Sequence, residues 1–290
     1  MVKIIINPYS AKGLKVWKDI KERIEDSGIK YDFVIAGQKR AAYLAKKAQE
    51  EGIREIFIVG GDGTINEVIN ALDFKDVVLG IIPAGCGNDF AKMIGVKSVE
   101  DGLASMLGGY KKSVDVGFAN DRYFLNNLGI GVDARVVDIH NRLKKIRSRP
   151  GYLVPVLLAF FEFTPFFVII ESGDFRFSGQ VLGVTVGNGR FHGGLFSLTP
   201  EARIDDGFLD ICVIKKIDRL KRVLNIGKAI KGTHIFLKET EIFRTASFSI
   251  FSESPFSVHF DGELAGRPMN KLKVKVLNKQ LQFSLPAEEK

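Results

Sequence analysis

The stretch from Arg54 to Leu72, REIFIVGGDGTINEVINAL, limits what this chain can fold into more than any other. It opens on Ile56, Phe57, Ile58 and Val59, a run of branched and aromatic side chains that reads as a strand buried on both faces. Gly60, Gly61 and Gly63 follow at once, where a strand must turn sharply and leave its backbone bare. Thr64 and Glu67 then stand at capping-box spacing, which predicts a helix capped by the threonine with the glutamate in its first turn. Ile65, Val68, Ile69 and Leu72 recur at i, i+3, i+4 and i+7 and give that helix one apolar stripe. Strand, glycine turn and helix N-terminus together offer unpaired N–H groups to an anion such as phosphate.

Two standard phosphate motifs are excluded. A dinucleotide fingerprint needs a third glycine where Asn66 stands, and a P-loop needs a Gly-Lys pair that is absent. What remains is a glycine turn with Asp62 in its middle. An acid beside phosphates is repulsive unless a metal lies between them, so the pairing suggests magnesium. The local pattern leaves a second reading open, an ordinary strand-to-helix turn with Asp62 in solvent.

GGDGTINEV resembles the nucleotide-binding motif of the diacylglycerol kinase catalytic-domain family, which includes bacterial lipid kinases and sphingosine kinases. NAD kinases and phosphofructokinases share only its GGDG core. The loop NPYSAKG after the apolar strand Val2 to Ile6 resembles the family's first nucleotide loop, with Ala11 in place of a glycine. Farther on, PAGCGNDFA from Pro83 resembles a third loop, with Cys86 in the position of a threonine. Asn88 there also reads simply as the cap of a short helix with Phe90, Met93 and Ile94 inward. The segment AGQKRAA from Ala36 departs from the family pattern. The resemblance implies that Asn7, Ser10, Gly13, Gly60, Gly61, Asp62, Gly63, Thr64, Glu67, Gly85, Cys86 and Asn88 surround ATP. It further implies that Asp62, Asp89 and Asp115 organise Mg2+.

Strands Val2 to Ile6, Tyr31 to Ile35, Ile56 to Val59, Val77 to Ile82 and Ser113 to Phe118 alternate with helices, which predicts a doubly wound parallel sheet. Near residue 120 the rhythm changes. Tyr123 to Asn127, Phe166 to Glu171, Phe175 to Phe177, Gln180 to Val186 and Phe208 to Ile214 read as strands. So do Ala246 to Phe251, Phe256 to Phe260, Lys271 to Leu277 and Leu281 to Leu285, and short turns between them predict an antiparallel sandwich. The expected architecture is therefore an α/β nucleotide-binding domain over residues 1–119 and a β-sandwich domain over residues 120–290. A chain of 290 residues with 46% apolar and 26% charged residues is long and apolar enough for both.

The second half carries three further signals. Arg142, Lys144, Lys145, Arg147 and Arg149 form a basic run before the apolar segment Gly151 to Ile170. Pro155, Pro165 and Glu162 interrupt that segment, which argues against a membrane span; the choices are a core helix with a solvated flank or a membrane-docking element. LTPEARIDDGFLD from Leu198 resembles an element in which similar bacterial kinases hold a structural magnesium, here through Asp206 and the carbonyls of Arg203 and Phe208. Read locally, Asp205-Asp206-Gly207 is a turn. HFDGE from His259 is first a hairpin signal; by resemblance it is catalytic, with Asp261 or Glu263 taking the proton of the attacking hydroxyl. The four histidines, 140, 192, 234 and 259, are too scattered in sequence to suggest a metal cluster.

The reading is an ATP-dependent lipid kinase acting on a lipid such as diacylglycerol. The alternatives are a kinase of a soluble alcohol such as NAD and a catalytically silent lipid-binding protein. A net charge of +8 suits nucleotide or an anionic membrane surface. The expected partner is a lipid substrate at that surface, with no nucleic acid, and a homodimer is compatible. Two cysteines, 86 and 212, and a Met1 that leads straight into a strand set the expectation of a cytoplasmic protein at the inner face of the membrane.

Overall fold

A computed structural model describes residues 1–37, 40–143 and 149–287, the side chains of 149–152 excepted. The chain divides into two compact units, Met1–Asp115 with Lys279–Lys290, and Val116–Asn278. The sequence placed the division at 119 and gave the whole C-terminal segment to the second domain; the last residues belong to the first.

The first unit begins with β1 (Val2–Ile6), α1 (Gly13–Asp26), β2 (Tyr31–Ile35), α2 (Ala41–Glu50) and β3 (Glu55–Gly60). It continues through α3 (Asp62–Ile69), β4 (Val78–Pro83), α4 (Asp89–Met93), α5 (Val99–Gly108) and into β5 (Tyr110–Ala119). β2, β1, β3 and β4 pair in that order and all in parallel. Helices cover a parallel sheet on its faces, so β3 and β4 are apolar and buried almost throughout. α1 docks through Val16, Trp17, Ile20 and Ile24, one stripe at helical spacing, against Ile4, Ile6, Phe57 and Val59. Asp115, fully buried in β5, accepts the backbone N–H of Lys279 at 2.8 Å where the chain re-enters this unit.

The second unit contains β6 (Arg122–Phe124), β7 (Asn127–Gly131), α6 (Val132–Arg142), α7 (Arg149–Glu162), β8 (Phe166–Glu171), β9 (Arg176–Gly187) and β10 (Leu209–Lys215). After these come α8 (Arg219–Leu224), α9 (Ile226–Lys231), a 3-10 turn (Thr233–Phe236), β11 (Thr240–Thr245), β12 (Ser247–Phe256), β13 (Val258–Phe260), β14 (Glu263–Leu264) and β15 (Met269–Leu285). All the pairings among β7 to β14, and that of β12 with β15, are antiparallel. Alternating inward side chains, among them Leu128, Ile130, Val184, Val186, Ile250 and Val258, form its main core. A second core lies under α6, α7 and α9, through Val136, Ile139, Val156, Ala159 and Ile226.

Several boundaries differ from expectation for local reasons. The segment read as one strand to Asn127 is broken into β6 and β7, and the two runs from Phe175 join as β9 across Ser178 and Gly179. The last two runs join as β15, which passes through Lys279 in a left-handed conformation (φ 49°). α8, α9 and β11 went unread because RLKRVL, IGKAIK and TEIFRT mix charged and apolar residues without the apolar run that marks the strands that were read.

Candidate active site

In the first unit three loops meet at the carboxyl ends of the parallel strands. The β1 loop is tied to its neighbours: Asn7 Nδ2 donates to Thr64 Oγ1 at 2.7 Å, and the Lys12 N–H reaches the Ala84 carbonyl at 3.0 Å. Ser10 turns inward and donates to the Asn7 carbonyl. Gly13 must be glycine, because a Cβ there would lie 2.0 Å from that same carbonyl. The turn after β3 and the loop after β4 touch backbone to backbone. A Cβ on Gly61 would come within 2.9 Å of Gly85 Cα, and one on Gly85 within 2.6 Å of Gly61 Cα.

Two expected caps are replaced. α3 starts at Asp62 with Gly61 as its N-cap and no side-chain capping bond. Thr64 is buried inside the helix and bonded to Asn7, while Glu67 accepts the Ala42 N–H at 3.3 Å, so no capping box forms. Asn88 is the N-cap residue of α4 but is left-handed (φ 52°), and its amide turns back to hold both backbone groups of Gly85. The cap of α4 comes from another helix: Asp62 Oδ1 accepts the Phe90 N–H at 3.0 Å. The result is a rigid cradle of backbone N–H groups and small residues, with Cys86 exposed at its rim. Of the Ala36–Arg40 segment, residues 38 and 39 lie outside the described residues.

The three acids expected to organise magnesium do other work as placed. Asp62 caps α4, buried Asp89 pairs with Lys92 at 3.3 Å, and Asp115 receives the Lys279 N–H. Among the described residues no group of three or more His, Cys, Asp or Glu is placed to hold a metal ion. In the second unit Asp206 accepts the Phe208 N–H and is ion-paired with Arg244, whose guanidinium also lies 5.1 Å from the Phe208 ring and 4.0 Å from Asp210. Asp206, expected with the carbonyls of Arg203 and Phe208 to hold a metal, faces this guanidinium here.

Two of the second unit's acids, Asp261 and Glu263, stand on the β13–β14 hairpin. Phe260 pairs with Glu263 around a two-residue turn in which Asp261 (φ 48°) and Gly262 (φ 84°) are both left-handed, the conformation a tight hairpin requires. Asp261 is anchored: one carboxylate oxygen accepts the Leu125 N–H at 2.9 Å, the other those of Asn126 and Asn127 at 2.8 and 2.9 Å. Glu263 is exposed.

An apolar pocket opens nearby within the same unit, walled by Val132, Val136, Val156, Phe160, Phe196 and Leu198. Its polar wall is Asp133, Thr185 and His192. Burial alone would raise the Asp133 carboxyl, but the His259 and His192 imidazoles and the Thr185 hydroxyl hold it below the ordinary carboxylate value. Cys212 is buried, and its thiol is pushed up to about 12, chiefly by that burial, so it stays inert. Asp133 and His259 escaped sequence reading because they are distant in the chain. The usable signal was Gly129, a glycine inside an otherwise apolar strand, which marks a close approach. A wider groove of about 1010 Å3, lined by charged Arg122, Arg267 and Lys273, opens elsewhere on this unit.

A parallel α/β unit with a glycine cradle, joined to a sandwich that carries an acid-bearing hairpin, is the layout of a kinase. Residues 1–119 match the diacylglycerol kinase catalytic domain, and residues 126–283 match the YegS C-terminal NAD kinase beta sandwich-like domain. A diacylglycerol kinase of Bacillus subtilis is 27% identical over 91% of this chain and 90% of its own. A protein of Pseudomonas aeruginosa named probable lipid kinase YegS-like is 30% identical over 85% of this chain and 82% of its own. The crystal structure of a diacylglycerol kinase from Bacillus anthracis superposes with a TM-score of 0.76 at 24% identity, over 99% of this chain and 97% of that one. The chain belongs to the bacterial lipid kinase family.

Proposed function

We propose that this kinase transfers the γ-phosphoryl group of ATP to the hydroxyl of a membrane lipid such as diacylglycerol. The observation that carries the lipid side is the apolar pocket of the second unit, which ends in Asp133 and Thr185. At about 60 Å3 it has room for a short apolar portion of a lipid beside a polar group, and a soluble dinucleotide would leave its walls unused. The cradle formed by Ser10, Gly60 to Thr64 and Gly85 to Asn88 receives the phosphates of ATP on backbone N–H groups. Asp62, Asp89 and Asp115 would hold magnesium, which would offset the charge of the phosphates.

Phosphoryl transfer through a loose transition state needs positioning and a base for the alcohol. Asp261 spends both carboxylate oxygens on backbone donors, which suits it to fix the hairpin. Glu263 is exposed beside it and takes the proton of the acceptor hydroxyl. Glu263→Gln should then lower lipid turnover by about a hundredfold or more with an unchanged melting temperature, whereas Asp261→Asn should lower both. Turnover of γ-labelled ATP on vesicles containing diacylglycerol, on other lipid alcohols and on NAD tests the reading. Phosphorylated NAD with no phosphorylated lipid would replace it by the soluble-alcohol alternative. Nucleotide and lipid binding without turnover on any acceptor would leave a silent lipid-binding protein.

Access to the lipid calls for docking on a bilayer. On α7, Val154, Leu157, Leu158 and Phe161 form an exposed stripe at i, i+3, i+4 and i+7, opposite buried Val156 and Ala159. Glu162, the one acid of the helix, is paired with Arg135 at 2.8 Å. Of the basic run before it, Arg142 is exposed and bonded to Asp138, while Lys144, Lys145 and Arg147 lie outside the described residues. Among the described residues no helix is long and apolar enough to cross a membrane. The exposed stripe suits α7 to lie in the interface with that face in the acyl region.

A further inference from the structure

Thr185, Gly129 and His259 form one row across β9, β7 and β13, since Gly129 is the register partner of both. Partners on neighbouring strands point their side chains to the same face, so Thr185 and His259 flank a bare glycine. Asp133, in the first turn of α6, fills the gap: Thr185 Oγ1 donates to its Oδ2 at 2.8 Å, and His259 Nε2 lies 3.2 Å from its Oδ1. A Cβ on residue 129 would lie 2.3 Å from both Asp133 Oδ2 and His259 Nε2. The row is thus built for this carboxylate. The other ring nitrogen, His259 Nδ1, accepts the Gly262 N–H at 3.3 Å. A nitrogen that accepts carries no proton there, so the ring proton falls to Nε2. That atom lies 3.2 Å from Asp133 and is drawn to it by charge attraction rather than by an aligned hydrogen bond.

We propose that Asp133 is a positioning residue for the Asp261–Glu263 turn, acting through the tautomer of His259. With the carboxylate in place Nε2 keeps the proton and Nδ1 holds Gly262, which sets the direction in which Glu263 leaves the hairpin. Asp133 also lines the apolar pocket, so the group that meets a bound lipid is the one that fixes the turn. Its role rests on the proposed part of that turn in activating the acceptor. A purely structural purpose would not need a charge here, because a buried carboxylate carries a desolvation cost that an apolar side chain of the same size avoids.

Asp133→Asn is the diagnostic change. Its amide oxygen keeps the Thr185 bond, and its NH2 then faces His259 and forces the proton to Nδ1, where it opposes the Gly262 N–H. Nitrogen-15 spectra of the histidines in the full chain should show Nε2-protonated His259 in the wild type and Nδ1-protonated His259 in Asp133→Asn. Lipid turnover should fall roughly a hundredfold in kcat, with nucleotide affinity unchanged. Adding His259→Asn should regain most of that loss, because an asparagine oxygen near the Nδ1 position accepts from Gly262 and has no tautomer to flip. An Nδ1-protonated or doubly protonated His259 in the wild type at neutral pH overturns the proposal whatever the enzyme phosphorylates. So does a double variant no better than Asp133→Asn, or an Asp133→Asn enzyme with full turnover while Glu263→Gln is impaired. If Glu263→Gln also turns over normally, the hairpin has no part in the reaction and this role for Asp133 falls with it.

Discussion

Gly61 and Gly85 show how closely the nucleotide cradle is specified by single residues. Neither has a left-handed backbone; they are glycine because their two loops cross with no room for a Cβ. Gly85→Ala would place a methyl group 2.6 Å from Gly61 Cα and 2.7 Å from Asn88 Oδ1. Backbone cannot yield as a side chain can, so a stability loss of about 1–3 kcal/mol is expected, together with weaker nucleotide binding. A melting curve and a nucleotide titration check it; unchanged affinity would mean that the crossing is not part of the phosphate site. Asp210 gives a prediction of another kind. Burial pushes its carboxyl up to about 6, with Arg244 opposing. Unfolded, the same group titrates near 4, so between about pH 4 and 6 the folded chain holds a proton that the unfolded chain has released. Stability from this group therefore falls as pH rises through that window and stays lower above it. Asp210→Asn removes the dependence, so its melting temperature should gain on the wild type more at pH 7 than at pH 4. An equal difference at both would show that Asp210 does not titrate there.

At the scale of elements, α7 carries the clearest test. Leu157→Ser with Phe161→Ser removes apolar area only from the exposed stripe and leaves Val156 and Ala159 packed. Sedimentation with anionic vesicles should drop about tenfold or more, each buried leucine or phenylalanine being worth about 1.5–3 kcal/mol, while melting is unchanged. Retained sedimentation would make the stripe an ordinary surface. The same helix shows what the sequence could reveal. Pro155, Pro165 and Glu162 were enough to argue against a span over Gly151 to Ile170, but the direction of the helix's apolar faces depends on α6 and α8, against which it packs. β3, the glycine turn and α3 were legible because strand and helix periods meet there without interruption. The capping pattern misled because Thr64 and Glu67 found stronger partners outside their own helix, Asn7 and Ala42. Asp206 was read locally as part of a turn; its partner Arg244 stands on β11, whose mixed TEIFRT sequence gave no strand signal. The hairpin at Asp261 was visible in its Asp-Gly pair. The three N–H bonds that anchor its carboxylate come from residues 125–127, more than 130 positions away.

At the scale of the whole molecule, the first unit is closed by the last strand of the chain. Gln282 and Phe283 pair in parallel with Val78 and Leu79, Phe283 lies 5.0 Å from the Phe90 ring, and Leu281 and Phe283 are completely buried. Burying Leu281, Phe283 and Leu285 is worth about 5–9 kcal/mol, comparable with the full stability of a typical domain. Deleting residues 279–290 should therefore leave the first unit sensitive to protease and unable to bind nucleotide, with the second unit still protected. A truncated chain with a resistant first unit would show that the terminal strand is dispensable. On a ribosome the same closure becomes a matter of time. Asp115 emerges 164 residues before the Lys279 that it bonds, roughly ten to thirty seconds at ordinary rates of synthesis. The nucleotide cradle is thus among the last parts to close. A nascent or prematurely ended chain has no closed cradle before the sandwich has been made.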